Sequence, residues 1–187
     1  MKHHSPDQSI LSRRTLLGAG IGAAAALAFA SPVEAAVRAM PERALHLYNI
    51  HTGEWLKTVY WADGRYIAKS LSQISSLLRD HRSGDTHPMD PRLLDLLAAT
   101  HRRLGNRGAV HIVSGYRSPA TNAILAASTD GVAQGSLHMS GRAVDIRIPG
   151  ANTRTLGRAA KSLKGGGVGT YPGSKFVHLD TGKIRYW

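Results

Sequence analysis

The chain has no cysteine among its 187 residues. That removes disulfide staples, thiolate nucleophiles and every Cys-based zinc site, so any metal must be held by His, Asp or Glu. Acidic residues are scarce, with 12 Asp and Glu against 24 Lys and Arg and a net charge of +12. A balance this basic points to a polyanion: nucleic acid in a cytosolic setting, cell-wall polymer or anionic lipid surface outside it. Charge for solubility alone is the bland alternative. Long hydrophobic runs are missing too. The apolar stretch from Leu16 to about Ala30 is rich in Gly and Ala and falls short of the ~20 residues that a spanning helix needs. No membrane anchor is therefore expected. With no internal repeat, the remainder fits one domain large enough to bury a core.

What surrounds that apolar stretch gives it another meaning. In SRRTLLGAGIGAAAALAFASPVEAA, residues 12–36, a twin arginine (Arg13, Arg14) precedes it. Small-residue cleavage sites follow, AFA ending at Ala30 or VEA ending at Ala35. That order of charge, apolar run and small residues is an export signal of the twin-arginine type. The expected organisation is a signal over 1–36 and a single domain over 37–187, periplasmic or otherwise exported. Such a protein touches the membrane only through its signal, and its partners are wall polymers, not nucleic acid.

Periodicity sketches the domain. ALHLYNI (44–50) and EWLKTVY (55–61) alternate apolar and polar on either side of HTG and predict a β-hairpin. Leu71, Ile74, Leu77 and Leu78 recur at helical spacing in AKSLSQISSLLRDHR. After a polar loop, Asp90 caps a second helix, with Pro91 at its first position and Leu93, Leu94 and Leu97 along its apolar side. AVHIV (109–113) is a short strand leading into SGYRSPATNAIL, where Ser118 and Pro119 mark a helix start. RAVDIRI (142–148) turns Val144, Ile146 and Ile148 toward a core and Asp145 to the opposite side. Asn152 can cap a helix to about Leu163, and GGVGTY, KFVHLDT and IRYW supply the last segments. The fold class is α+β: a central, mostly antiparallel sheet with helices packed on one face.

Four pieces of this frame can carry chemistry. His138, in a loop entering a strand, and Asp145, on that strand, can converge on one ion if Gly141 lets the chain turn back and Ala143 leaves room. In FVHLD (176–180), Phe176, His178 and Asp180 point to one side while Val177 and Leu179 face the core. If that strand lies beside AVDIRI, His178 becomes a third ligand; by itself it would be a half-buried strand histidine. Two His, one carboxylate and an open position form a common hydrolytic zinc arrangement. The loop SGYRSPATN presents Arg117, able to hold a carboxylate or carbonyl in a two-pronged grip, or else one more surface arginine. Ser136 either bonds a substrate or caps its loop. His51, His81 and His111 are left as structural histidines.

SGYRS, SLHMSGRAVD and FVHLD, in that order, resemble the LAS-type zinc metallopeptidases, the D-Ala-D-Ala peptidases and their relatives. LHLYNIHTGEWLKTVYW, LLRDHRSGDTHPMDPRLLDLL and GGVGTYPGSKFVHLDTGKIRYW look like the YcbK-like branch, exported proteins regarded as peptidoglycan hydrolases. The likeness runs from about Ala44 to Trp187. It implies a LAS or hedgehog-like fold with the zinc site on the sheet. It also implies zinc ligands at His138, Asp145 and His178, a substrate-binding arginine at Arg117 and the serine near the first ligand at Ser136. Many relatives place a glutamate base three residues before the last histidine, or a helper histidine two before it. Lys175 and Phe176 stand there in this chain, and neither does that work at neutral pH. Asp180 is then the candidate base, or it fixes the tautomer of a ligand histidine.

The expected activity is zinc-dependent hydrolysis of peptide bonds in peptidoglycan, by a monomer acting on stem peptides. Cutting cross-links is preferred over trimming terminal D-Ala, because the branch resembled is associated with the former. Two rivals stand beside it: a non-catalytic wall-binding protein with zinc as a clamp, and a lipid or partner binder that uses only the basic surface. Three N and O ligands would accept ions besides zinc.

Overall fold

The alternating stretches do form a hairpin. β1 (Arg43–Asn49) and β2 (Trp55–Ala62) pair antiparallel, with Leu47 opposite Leu56 and Tyr48 opposite Trp55. A two-residue strand, β3 (Arg65–Tyr66), adds to the far side of β2. This computed structural model describes residues 1, 31–105, 108–128 and 133–187. The twin arginine and the apolar run of the expected signal lie outside the described residues. Ser31–Trp187 forms one compact unit. Its first element is α1 (Pro32–Arg38), begun by a capping box: Ser31 Oγ accepts from the Glu34 N–H, and the Glu34 carboxylate accepts from the Ser31 N–H. Val37 on this helix is buried.

α2 (Ala68–Leu77) buries Ile74 and Leu77, and Leu78 is buried at its end. α3 (Pro91–Arg103) starts where expected, Asp90 accepting from the Arg92 N–H at 2.9 Å, and buries Leu93, Leu94, Leu96 and Leu97. α4 (Pro119–Ser128) follows the SGYRS loop. α5 (Thr153–Lys161), capped by Asn152, buries Leu156 and Ala160.

β4 (Val110–Ser114), β5 (Ala143–Arg147), β6 (Gly167–Tyr171), β7 (Phe176–Asp180) and β8 (Arg185–Tyr186) complete one eight-stranded sheet, ordered β3-β2-β1-β4-β5-β7-β6-β8. The expected α+β class holds, but the sheet is mixed. β1 and β4 run parallel, as do β6 and β8. The chain between β1 and β4 passes through α2 and α3, and a crossover of that length permits a parallel return. Two reversals after β6 bring β8 back in its direction.

Period two then sorts the side chains. Leu45, Leu47, Ile112, Val144, Ile146, Val177 and Leu179 are buried in one core with the apolar sides of α2, α3 and α5. Truncating any one of these leucines or isoleucines to Ala costs about 2–5 kcal/mol. Their sequence neighbours Tyr48, His111, Asp145, Arg147 and His178 belong to the opposite face, and the candidate chemistry sits there.

Candidate metal centre

β5 and β7 are neighbours, and their register sets Asp145 opposite His178. His138 arrives from a single 3-10 turn, Leu137–Ser140, capped by Ser136, whose Oγ accepts from the His138 N–H at 3.3 Å. Gly141 closes that turn in the left-handed region, φ 65°, so near the Pro88 carbonyl that a Cβ would collide with it. The chain reverses there and feeds straight into β5, as the position of Gly141 in the sequence implied.

One ligand atom from each of His138, Asp145 and His178 lies within 4.8 Å of the others. His138 Nε2 is 3.4 Å from Asp145 Oδ2 and 3.3 Å from His178 Nδ1, which is 2.8 Å from Asp145 Oδ1. The outer nitrogens decide the tautomers. His138 Nδ1 faces the Gly115 carbonyl at 2.6 Å and can only donate to it, so Nε2 carries the lone pair. His178 Nε2 donates to Asp180 Oδ2 at 3.1 Å, so Nδ1 carries the lone pair. Two imidazole lone pairs and a carboxylate converge on one small space, and a divalent cation fits that donor set.

The electrostatics agree. Burial pushes Asp145 up, but the His138 and His178 rings outweigh it and hold the carboxyl well below the usual carboxylate range. Burial disfavours a charged His178, yet the Asp145 and Asp180 carboxylates beside its ring raise its pKa above the ordinary value.

Asp180, expected either to act as base or to fix the tautomer of a ligand histidine, does not face that space. Its Oδ1 accepts from the Gly182 N–H at 2.7 Å, the Gly167 N–H at 3.2 Å and Arg185 Nη1 at 3.2 Å. Oδ2 accepts from Arg185 Nη2 at 2.8 Å as well as from His178. Burial raises this carboxyl, but these donors carry it well below the usual range. Fully buried and engaged on both oxygens, it meets the outer nitrogen of His178. Period two put Asp180 on the correct side of β7 but could not say which end of the imidazole it meets. Asp180 stands at the outer nitrogen, 3.1 Å from Nε2, where a carboxylate can orient an imidazole from behind.

Arg117 is not a surface arginine. Nη2 donates to Asp145 Oδ2 at 2.9 Å and Nε to Ser114 Oγ at 3.0 Å, with the side chain only 14% exposed. A cleft of about 560 Å³ opens over the cluster, lined by Arg117, Ser136 and the three candidate ligands, and also by Tyr171, Phe176, Arg185 and Trp187. His51, His81 and His111 are not in the ligand group.

Arg185, Trp187 and Tyr171 are the residues that motif reasoning passed over. The Trp187 N–H donates to the Val168 carbonyl at 3.2 Å, and its own carbonyl accepts from the Thr170 N–H at 2.9 Å. The indole then lies against Gly169, where any Cβ would clash with it. Its ring is 5.5 Å from that of His178, and Nε1 donates to the Tyr171 hydroxyl at 2.7 Å. The signal was present as alternation: bare Gly167 and Gly169 in GGVGTY, large Arg185 and Trp187 in IRYW.

Comparison with known proteins follows the same residues. The profile of a family described as Peptidoglycan L,D-endopeptidase MepK matches residues 37–187. The chain is 41% identical over 182 residues to a protein of Escherichia coli (strain K12) named peptidoglycan L,D-endopeptidase MepK, covering 97% of this chain and 100% of that one. A Shigella flexneri protein of the same name has the same identity and coverage. A Haemophilus influenzae protein named probable peptidoglycan L,D-endopeptidase MepK is 39% identical over 146 residues, 78% of each chain. With His138, Asp145 and His178 all inside the matched segment, the chain belongs to the family described as Peptidoglycan L,D-endopeptidase MepK.

Proposed function

We propose that this protein hydrolyses peptide cross-links of peptidoglycan with a zinc ion held by His138, Asp145 and His178. The observation that carries this is the convergence of His138 Nε2, His178 Nδ1 and the Asp145 carboxylate at an open cleft. Membership of a family described by L,D-endopeptidase action on peptidoglycan supports the choice of bond over removal of terminal D-Ala. Zinc bound by two histidines and a carboxylate supplies Lewis acidity toward a scissile carbonyl and lowers the pKa of water to about 7. A purely structural zinc is closed by four protein ligands; three ligands beneath a cleft favour catalysis over a clamp.

The chain's own groups supply orientation. The Gly115 carbonyl and Asp180 fix the two imidazole rings from behind. Arg117 braces Asp145 and borders the cleft, where its guanidinium can grip a stem-peptide carboxylate. The Tyr171 hydroxyl accepts from Trp187 and keeps its own proton to donate to a substrate oxygen. Ser136 caps the turn that carries His138 and lines the same cleft. Export through the N-terminal twin-arginine signal would bring this basic monomer to an anionic wall.

Digestion of purified sacculi followed by resolution of the muropeptides tests the proposal. Cross-linked dimers are expected to fall with the wild type and to persist with His138→Ala. Chelation stops the wild type and zinc restores it, with one zinc per chain by metal analysis. Unchanged muropeptides with zinc-loaded wild type would overturn the hydrolase reading.

A further inference from the structure

The face of the sheet that bears the cluster does not end at the cleft. Across β2, β1 and β4, Trp55 stands opposite Tyr48, and Tyr48 opposite His111. His111 stands opposite Arg147 on β5. One step beyond the Ile146–Val177 pair lie Arg147 and Phe176, and Phe176 pairs with Tyr171 on β6. One row of aromatic and basic side chains therefore crosses six adjacent strands, from Trp55 to the wall of the cleft. The rings touch: Tyr48 and Trp55 have centroids 4.3 Å apart, Tyr48 and His111 4.9 Å, Tyr171 and Phe176 4.5 Å. Arg147 Nη2 donates to the carbonyl of Ser174, which lines the cleft, so the row and the cleft are continuous. Trp55, at the distal end, is 60% exposed. A large aromatic side chain that is mostly in water, tilted against Tyr48 on one side, leaves much apolar area uncovered among the described residues.

We propose that this row is a binding track for the glycan strand of peptidoglycan, separate from the peptide-cleaving centre at its end. The inference rests on the proposed action on that polymer. A pyranose ring presents an apolar C–H face and a rim of hydroxyl and acetamido groups. The row offers matching chemistry, ring faces at Trp55 and Tyr48 with nitrogen donors at His111 and Arg147. Strands stand about 4.8 Å apart, so six of them span roughly 24 Å, room for several sugars in line. A stem peptide asks for something else, amide partners and a cation for its carboxylate, and Arg117 offers that at the cluster. Holding the glycan along the row would leave a peptide branching from it to descend into the cleft.

The full-length mature protein is tested as wild type, Trp55→Ala and Trp55→Phe on two probes. One is peptide-free glycan strands released from sacculi by an amidase, with binding read by cosedimentation. The other is a glycan-free cross-linked peptide dimer, with turnover read by chromatography. Trp55→Ala is expected to weaken glycan binding about fivefold or more, with peptide-dimer turnover unchanged. Trp55→Phe, which keeps a ring face, is expected to recover most of the loss. Absence of glycan binding by the wild type, or equal binding by Trp55→Ala, overturns the track. Loss of peptide-dimer turnover in Trp55→Ala with glycan binding intact overturns it as well, and assigns the row to peptide. Glycan binding that depends on Trp55, in a protein that cleaves neither probe nor sacculi, supports the track while the hydrolase proposal fails.

Discussion

Asp180→Asn is the perturbation that separates a supporting residue from a base. It preserves the shape of the side chain and exchanges one acceptor oxygen for an NH2 group. Five hydrogen bonds reach this carboxylate, every one from a donor. Turned one way, the new amide NH2 confronts the Gly167 and Gly182 N–H groups and Arg185 Nη1. Turned the other way, it confronts His178 Nε2–H and Arg185 Nη2. Either way at least two donors lose their acceptor, and each buried one costs about 1–3 kcal/mol. Arg185 has a half-exposed side chain and can turn to water, so the net loss of stability is expected near 3 kcal/mol. His178 is then no longer held with its proton on Nε2, and loss of such an outer partner lowers metal affinity about 10–100-fold. Urea unfolding with and without zinc measures the first effect, and competition against a chromophoric chelator measures the second. A variant as stable as the wild type, binding zinc equally tightly and lacking only turnover, would refute the reasoning and return Asp180 to proton handling.

Other expectations follow from the same contacts. Arg117→Lys keeps the charge but not the planar fork that joins Ser114 to Asp145, so it is expected to lose nearly as much kcat/KM on cross-linked muropeptides as Arg117→Ala. Both should fall at least about tenfold, or 1.4 kcal/mol, and full activity in Arg117→Lys would reduce Arg117 to a bare positive charge. Asp80 accepts from the Ser118 N–H at 2.9 Å and the Arg82 N–H at 3.0 Å. Burial raises its carboxyl, but the Thr121 hydroxyl and these amides hold it well below the usual range. A lowered folded pKa means the contribution is complete above the unfolded value near 4 and fades as pH falls toward the folded one. Asp80→Asn is therefore expected to cost about 1–2 kcal/mol at pH 7, with the gap closing below about pH 4 in urea titrations; a gap independent of pH contradicts this. If the export signal is removed, N-terminal sequencing of the mature protein is expected to begin at Ser31. Cleavage after Ala35 would cut through α1 and discard its capping box.

Much of this molecule was legible in the sequence because its local signals are strong and its faces are one-sided. Asp90-Pro91 and Asn152 cap helices where their chemistry requires, and alternation in RAVDIRI and FVHLD places Asp145 and His178 on one face. Gly141 announced a reversal that the φ of 65° realises. What was hidden depends on distances between strands. Pairing of β1 with β4 in parallel cannot be read from either strand. The role of Asp180 turns on which imidazole nitrogen it meets, a matter of a few ångströms. Trp187 and Arg185 were overlooked because a short C-terminal segment has no periodicity of its own. Its meaning comes from the glycines of β6, which vacate the volume that those side chains fill.

Those glycines also explain how one face can be both a tight cluster and an open track. A sheet face with a large side chain at every position of β6 would leave no room for the β8 side chains beside His178. β6 removes its side chains at Gly167 and Gly169 and restores one at Tyr171. The last strand pairs alongside β6 and its side chains cross the glycines, so Arg185 reaches Asp180 and Trp187 stands beside His178. At the cluster end the Arg185 and Trp187 side chains thus form a wall of the cleft beside His138, Asp145 and His178. At the other end Tyr48, Trp55 and His111 pair with full-sized neighbours and stay shallow, a shape suited to a ligand that lies along the surface. The same period-two rule that buries the core on one side thus grades the other side from pocket to platform. Side-chain size at alternate positions of β6 decides where the change occurs.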